Sequence, residues 1–327
     1  MRPLPLLSAA ALLALTAATA RAEVPSVIAD IPATGSLAQQ VLGELGEVRV
    51  LLPAGGNAHH YQIRPSDAAA LQDSDLVVWV GPDLTPWLAR SAGSLASGAS
   101  LTLLDLPETR RRPYAGAEEE EHHHDGEADE SETADEHADH DGHDDHDGHD
   151  HHGGTDPHAW LDPQNGRLWL AAIARALAEA DPENAATYTA NAEAGAAQIE
   201  QAAAELTAKL ATASQQHFVV FHDAYGYFTS SFGLAPAVPV ALGDATTPSA
   251  ARLSAIRAEM VAESVVCAFP EAGHDPALID SLTDGTTIRI GGELDPTGSN
   301  LPMDAGLYTA ILEEMGNTIS SCLSQTE

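Results

Sequence analysis

Short continuous apolar runs recur along this chain, each followed by a segment with helical spacing, and this alternation restricts it to an α/β fold. The first series reads VPSVIADI, TGSLAQQVLGEL, VRVLLP, SDAAALQDS, DLVVWVG, PDLTPWLARSAG and LTLLDL. Strands that are apolar throughout, rather than alternating with polar residues, belong to parallel sheets covered by helices on both faces. After residue 214 the pattern restarts with HFVVF, AYGYFTSSFG, PAVPVAL, PSAARLSAIRAEMVAE, SVVCAFP, DPALIDSLTDG, TTIRIGG and a final helix GLYTAILEEMGNTISSCL. The expectation is therefore two α/β lobes, residues 23–180 and 214–327, with residues 181–213 between them.

That intervening stretch opens on Asp181-Pro182-Glu183, an Asp N-cap followed by Pro at the first helical position, and meets no further Pro until Pro236. Tyr188, Ala192, Gly195, Ile199, Ala203, Leu206 and Leu210 recur every three or four residues. One long rigid helix of about 45 Å joining the lobes is predicted. Two ordinary helices split near Gly195 are the competing reading.

The first residues, MRPLPLLSAAALLALTAATARA, combine a positive charge at Arg2, an apolar run and a small-x-small site at Ala20-Arg21-Ala22. This predicts a signal peptide over residues 1–22 and export to a periplasm. The first cysteine is Cys267, so no cysteine stands near the cleavage site to carry a lipid anchor. Cys267 and Cys322 are the only two cysteines. An oxidising compartment favours their pairing, and a two-cysteine metal or redox site, which here lacks CxxC spacing, is the alternative.

The formal charge is −35, from 49 acidic and 14 basic residues, and about half of the excess is local. Residues 118–150 hold 17 acidic side chains, and ten histidines are interleaved with them: His122, His123, His124, His137, His140, His143, His146, His149, His151 and His152. A segment of this composition, spanning about 115–154, has too little apolar surface to order its backbone and reads as a disordered loop. The overall charge repels nucleic acid and anionic lipid and attracts cations.

Ligands of open α/β sheets bind beyond the carboxyl ends of the strands. Histidines fall at three such places: His59 and His60 after VRVLLPAGGNA, His158 in TDPHAWLDP before a helix, and His222 at the end of HFVVFH. Three imidazoles and one oxygen ligand suit a tetrahedral zinc site. Asp223 is the candidate partner for the second ring nitrogen of His222, and His217 and His274 read as structural or exposed. A zinc hydrolase would need a general base beside the metal, and no HExxH motif is present. The chain is therefore read as a binding protein and not an enzyme, with a periplasmic zinc store or metallochaperone as the alternative to a receptor.

Four segments, NAHHYQIRPSDAAALQDSDLVVWVGPDL, DPHAWLDP, FVVFHDAYGYF and GGELDPTG, resemble in order the signatures of the cluster A-I periplasmic metal-binding receptors, most closely the zinc-uptake branch. The resemblance covers nearly the whole chain after the signal peptide, apart from the His-rich insert. It implies His59 rather than His60, His158 and His222 as ligands, with Asp295, water or another carboxylate in the fourth position. Some zinc receptors carry Glu just before the first ligand, where this chain has Ala58. Manganese receptors of the family place Glu where this chain has His222, so Zn2+ is the expected cargo. The resemblance further implies a Cys267–Cys322 disulfide, a rigid inter-lobe helix, and an inner-membrane ABC permease as partner of a monomeric receptor. Periplasmic zinc chaperones are further candidate partners, and the His-rich loop is expected to collect zinc weakly beside the main site.

Overall fold

The computed structural model describes residues 24–114, 154–243 and 246–324. The expected signal peptide and the ten histidines of the insert lie outside these residues. The first lobe contains β1 (Val27–Ala29), α1 (Pro32–Leu42), β2 (Val48–Val50), α2 (Pro65–Gln72), β3 (Leu76–Trp79), α3 (Pro86–Leu95) and β4 (Ala99–Thr102). Two helices follow, α4 (Pro163–Ala180) and α5 (Ala185–Leu210). The second lobe contains β5 (Phe218–His222), α6 (Gly226–Phe232), β6 (Val238–Ala241), α7 (Ala250–Ala262), β7 (Cys267–Phe269), α8 (Ala277–Thr283), β8 (Arg289–Ile290) and α9 (Leu307–Leu323).

Both sheets are wholly parallel, with orders β2-β1-β3-β4 and β6-β5-β7-β8, so the lobes repeat one topology. The apolar strands follow from burial on both faces. Along β5, Phe218 and Val220 enter the central core, whereas Val219 and Phe221 enter a separate cluster with Ile256 and Ile279. Along β3, Leu76 and Val78 enter the central core while Val77 and Trp79 pack with Leu71, Trp87 and Leu88. The two-residue side-chain period of a strand thus feeds two apolar layers at once.

The inter-lobe helix is continuous through Gly195, with single 3-10 turns at Pro182–Asn184 and Ala211–Ala213 on either side of α5. Its 26 α-helical residues make a rod of about 39 Å. Two details differ from expectation. The Asp181 carboxylate does not cap the backbone; it accepts hydrogen bonds from Asn184 Nδ2 at 2.6 Å and the Tyr188 hydroxyl at 2.8 Å. At one turn of the apolar stripe Ala202 is the buried residue, and Ala203 is only half-buried.

Helix α5 packs on α4, α9, α1 and α6, and α1 also packs on α4 and α9. Leu37 and Val41, Ile173 and Leu177, Ile199 and Leu206, and Ile311 and Met315 accordingly share one hydrophobic core with residues of both sheets. Polar seams tie the same elements: Ser36 Oγ donates to the Asp304 carbonyl and accepts from the Tyr308 N–H, and the Tyr308 hydroxyl donates to the Trp160 carbonyl at 2.6 Å. Gly166 in α4 makes this last contact feasible, because a Cβ there would overlap the Tyr308 ring and hydroxyl. Gly166→Ala is expected to lower stability by about 1–3 kcal/mol, the usual cost of overpacking. An unchanged thermal midpoint would contradict that contact. Among the described residues no helix is long and apolar enough to cross a membrane.

Candidate metal centre

Three segments bring imidazoles to the cleft where the lobes meet. His59 lies in the loop after β2, where Asn57 Oδ1 accepts the backbone N–H groups of His59 and His60. Trp87 Nε1 donates to the Ala58 carbonyl at 2.6 Å and holds that loop against α3. His158 precedes the short 3-10 turn Ala159–Leu161, whose exit is fixed by Asp162 accepting from Gln164 N at the start of α4. His222 is the last residue of β5.

The ring nitrogens converge. His158 Nε2 stands 3.3 Å from His59 Nε2 and 3.2 Å from His222 Nε2. Carboxylates settle which nitrogen of two rings carries the proton. Asp156 Oδ1 receives the His158 backbone N–H at 3.0 Å and its Nδ1 at 2.8 Å. Glu271 receives His222 Nδ1 at 2.7 Å and the Tyr225 hydroxyl at 2.7 Å. Each Nδ1 is thus placed to donate to its carboxylate, which leaves each Nε2 facing the cleft. Deprotonated Nε2 atoms 3.2–3.3 Å apart need a proton or a cation between them.

Electrostatics favour this state for two of the rings. Burial, then the neighbouring imidazoles, holds His59 and His158 well below the usual histidine range, so both are neutral near neutrality. Burial also pulls His222 down, but the charge and hydrogen bond of Glu271 outweigh it and move the group upward. Burial raises Asp156 to about 7, against the opposing effects of the His158 N–H and the Arg112 charge.

His59, His158 and His222 offer ligand atoms within 4.8 Å of one another, and Asp295 is not in that group. Its carboxylate accepts from Ser299 N at 3.0 Å, Asn300 N at 2.8 Å and Thr297 Oγ1 at 3.3 Å, which commits it to its own loop. His60 is exposed, its ring centroid 6.4 Å from that of His59.

Two residues that the sequence reading undervalued belong to this cleft. Glu271, not Asp223, partners His222. The reason is register: β5 and β7 run parallel with Val220 opposite Phe269, so the residues two further along, His222 and Glu271, emerge side by side. These strands are also where the strand order reverses, the crevice in which open α/β sheets bind ligands. His274, read as structural or exposed, lines the same pocket as the three histidines, with its Nε2 3.5 Å from Glu271 Oε1. His217, just before the start of β5 and so at the opposite end of that strand from His222, pairs with Glu263 at 3.4 Å. Removing the Glu271 carboxylate as Glu271→Ala should weaken zinc binding about 10–100-fold, the usual effect of losing a partner of a ligating histidine. A competition titration showing no change would remove its orienting role.

A two-lobed α/β molecule with a rigid connecting helix and a pocket of converging imidazole nitrogens has the form of a metal-capturing receptor. The chain belongs to the ZnuA family, described as the periplasmic zinc-uptake complex component A, whose model matches residues 27–322. This is a family of transport components, not of enzymes. The high-affinity zinc uptake system protein ZnuA of Paracoccus denitrificans is 53% identical over 324 residues, covering 99% of each chain. The ZnuA protein of Yersinia pestis is 33% identical, covering 91% of each. Among solved structures, the periplasmic zinc-binding protein TroA from Treponema pallidum superposes with a TM-score of 0.73 at 18% identity, covering 92% of this chain and 99% of its own. A manganese-bound periplasmic metal-binding protein from Candidatus Liberibacter asiaticus gives 0.71 at 20% identity, covering 91% and 99%. At such identities the likeness concerns the fold. The disulfide is present between Cys267 and Cys322.

Proposed function

We propose that this protein is a periplasmic receptor that captures Zn2+ in the cleft between its lobes and delivers it to an inner-membrane ABC permease. The observation that carries the reading is the spacing of the three Nε2 atoms. A tetrahedron with zinc–nitrogen bonds of about 2.0–2.1 Å has edges of about 3.3–3.4 Å, and the observed separations are 3.3 and 3.2 Å. His59, His158 and His222 are the ligands on this reading. Asp295 is not among the converging ligand atoms, so the fourth position is assigned to water. The names of the relatives support zinc uptake as the role and the periplasm as the place.

The His-rich insert is assigned the part of a weak auxiliary collector. Its flanking residues support this: Pro113 and Thr155 form an antiparallel bridge, and the Tyr114 ring lies 6.4 Å from that of His158. Both ends of the insert are thus tied down beside the pocket. Its composition favours modest affinity, because ordering each residue around a cation costs about 1–2 kcal/mol.

Selectivity tests the reading. In protein stripped with chelator, zinc should raise the thermal midpoint far more than an equal concentration of manganese, because stabilisation follows the logarithm of ligand concentration over its dissociation constant. Equal shifts would remove zinc as the cargo.

A further inference from the structure

Glu271 is shared between the three-imidazole pocket and His274. This carboxylate is 3% exposed. His222 Nδ1 lies 2.7 Å from both of its oxygens; Oε2 also takes the Tyr225 hydroxyl at 2.7 Å, and Oε1 also faces His274 Nε2 at 3.5 Å. A charge-assisted N–H···O bond closes to about 2.7–2.9 Å, so this gap is wide for a settled hydrogen bond. It is close to the separation of two donors around one small cation, about 3.3–3.4 Å at zinc bond lengths. The His274 ring is not free to swing away: it stacks on Phe221 with centroids 4.1 Å apart and planes 30° apart. Its side chain is 16% exposed, against 2% for His158 and 6% for His222, so it stands at the outer end of the pocket that all of them line.

We propose that His274 Nε2 and Glu271 Oε1 form a second, weaker divalent-cation subsite at the mouth of the cleft, through which zinc passes between solvent and the three-imidazole pocket. This rests on the reading of that pocket as the zinc site. A hydrated ion exchanges two of its waters for these two donors and keeps the others. It then exchanges donors one at a time as it moves inward to the Nε2 atoms of His222, His158 and His59. At no stage is the whole hydration shell lost at once, which is the slow part of moving a small divalent ion into a buried site. Because His222 Nδ1 lies within 2.7 Å of both oxygens, Oε2 goes on accepting its N–H when Oε1 turns to the cation, so the inner ligand stays oriented while the outer donor works. Since the subsite is vacated when zinc is seated, it alters rates and leaves the final affinity alone.

The test uses the full chain and two variants: His274→Phe, which keeps an aromatic ring against Phe221, and His274→Gln, which keeps a polar head. Zinc capture by stripped protein, and zinc loss to a chromophoric chelator, are followed by stopped-flow, with affinity measured separately by competition and folding by thermal unfolding. Both variants should slow capture and loss together by about tenfold, with the dissociation constant moving less than twofold. Rates equal to wild type in either folded variant overturn the subsite. So does a loss of affinity as large as the loss of rate, which would make His274 a ligand of the main pocket. Slowing by Gln but not by Phe would assign His274 to packing alone, and would overturn it too. A wild-type chain that binds no zinc tightly refutes the main pocket instead, so the two failures are distinguishable.

Discussion

Zinc affinity is expected to fall at least about a thousandfold, or roughly 4 kcal/mol, when His158 is replaced by Ala. Of the three converging rings His158 is the shared one, its Nε2 standing 3.3 Å from that of His59 and 3.2 Å from that of His222. Removing it leaves two donors that no longer close a polyhedron, and zinc sites need at least three protein ligands to be held. It also strips Asp156 of its ring partner in a place where Asp156 is 1% exposed. His60→Ala is the matching control, because His60 is exposed and outside the described ligand group; it should change affinity by less than about threefold. Competition with a chromophoric chelator measures both, and the thermal midpoint of the zinc-free variants shows that each is folded. A loss smaller than tenfold for His158→Ala, or a larger one for His60→Ala, would refute the assigned ligand set.

The second large effect concerns the second lobe alone. The Cys267–Cys322 bond spans 55 residues, and closing a loop of that length stabilises by about 4 kcal/mol in the chain-entropy model. It joins β7 to the last turn of α9, with Cys267 fully buried and Cys322 4% exposed. Cys267→Ala/Cys322→Ala should therefore lower the urea midpoint markedly, and the slope should steepen because the unfolded chain expands. Neither cysteine lines the cleft, so zinc affinity in the folded state should hardly change. A stability loss below about 1 kcal/mol would mean that the reduced chain retains the same loop contacts.

Much of this architecture could be read from local pattern. Strands such as FVVFH and LVVW are apolar at every position because each feeds two buried layers, and the chain shows that directly. The long helix was legible because its apolar stripe has the helical period, although the stripe settles one residue earlier at Ala202. His59, His158 and His222 stand in short motifs at strand or helix ends. What local pattern does not carry is pairing at a distance. Asp223 adjoins His222 in sequence but lies past the end of β5, and the carboxylate beside the imidazole comes from 49 residues away through strand register. His274 was undervalued for a related reason: Glu271 is only three residues away, but Phe221 and His222 come beside it only once β5 and β7 are paired. Asp295, which the motif suggested, accepts from Ser299 N and Asn300 N of its own loop and is not among the converging ligand atoms.

The central core that α5 shares with both sheets bears on how a loaded molecule is told from an empty one. A wide swing of the lobes would bare the apolar surfaces that α1, α4 and α9 bury against that helix, at about 25 cal/mol for each Å² exposed. On the proposed reading, the outline of the molecule is therefore expected to stay nearly the same with and without cargo. A partner would then have to read a small area, such as the loops around His59 and His274 at the rim. The message that an ion is aboard would be carried by the stiffness and charge of those few residues, rather than by the shape of the whole.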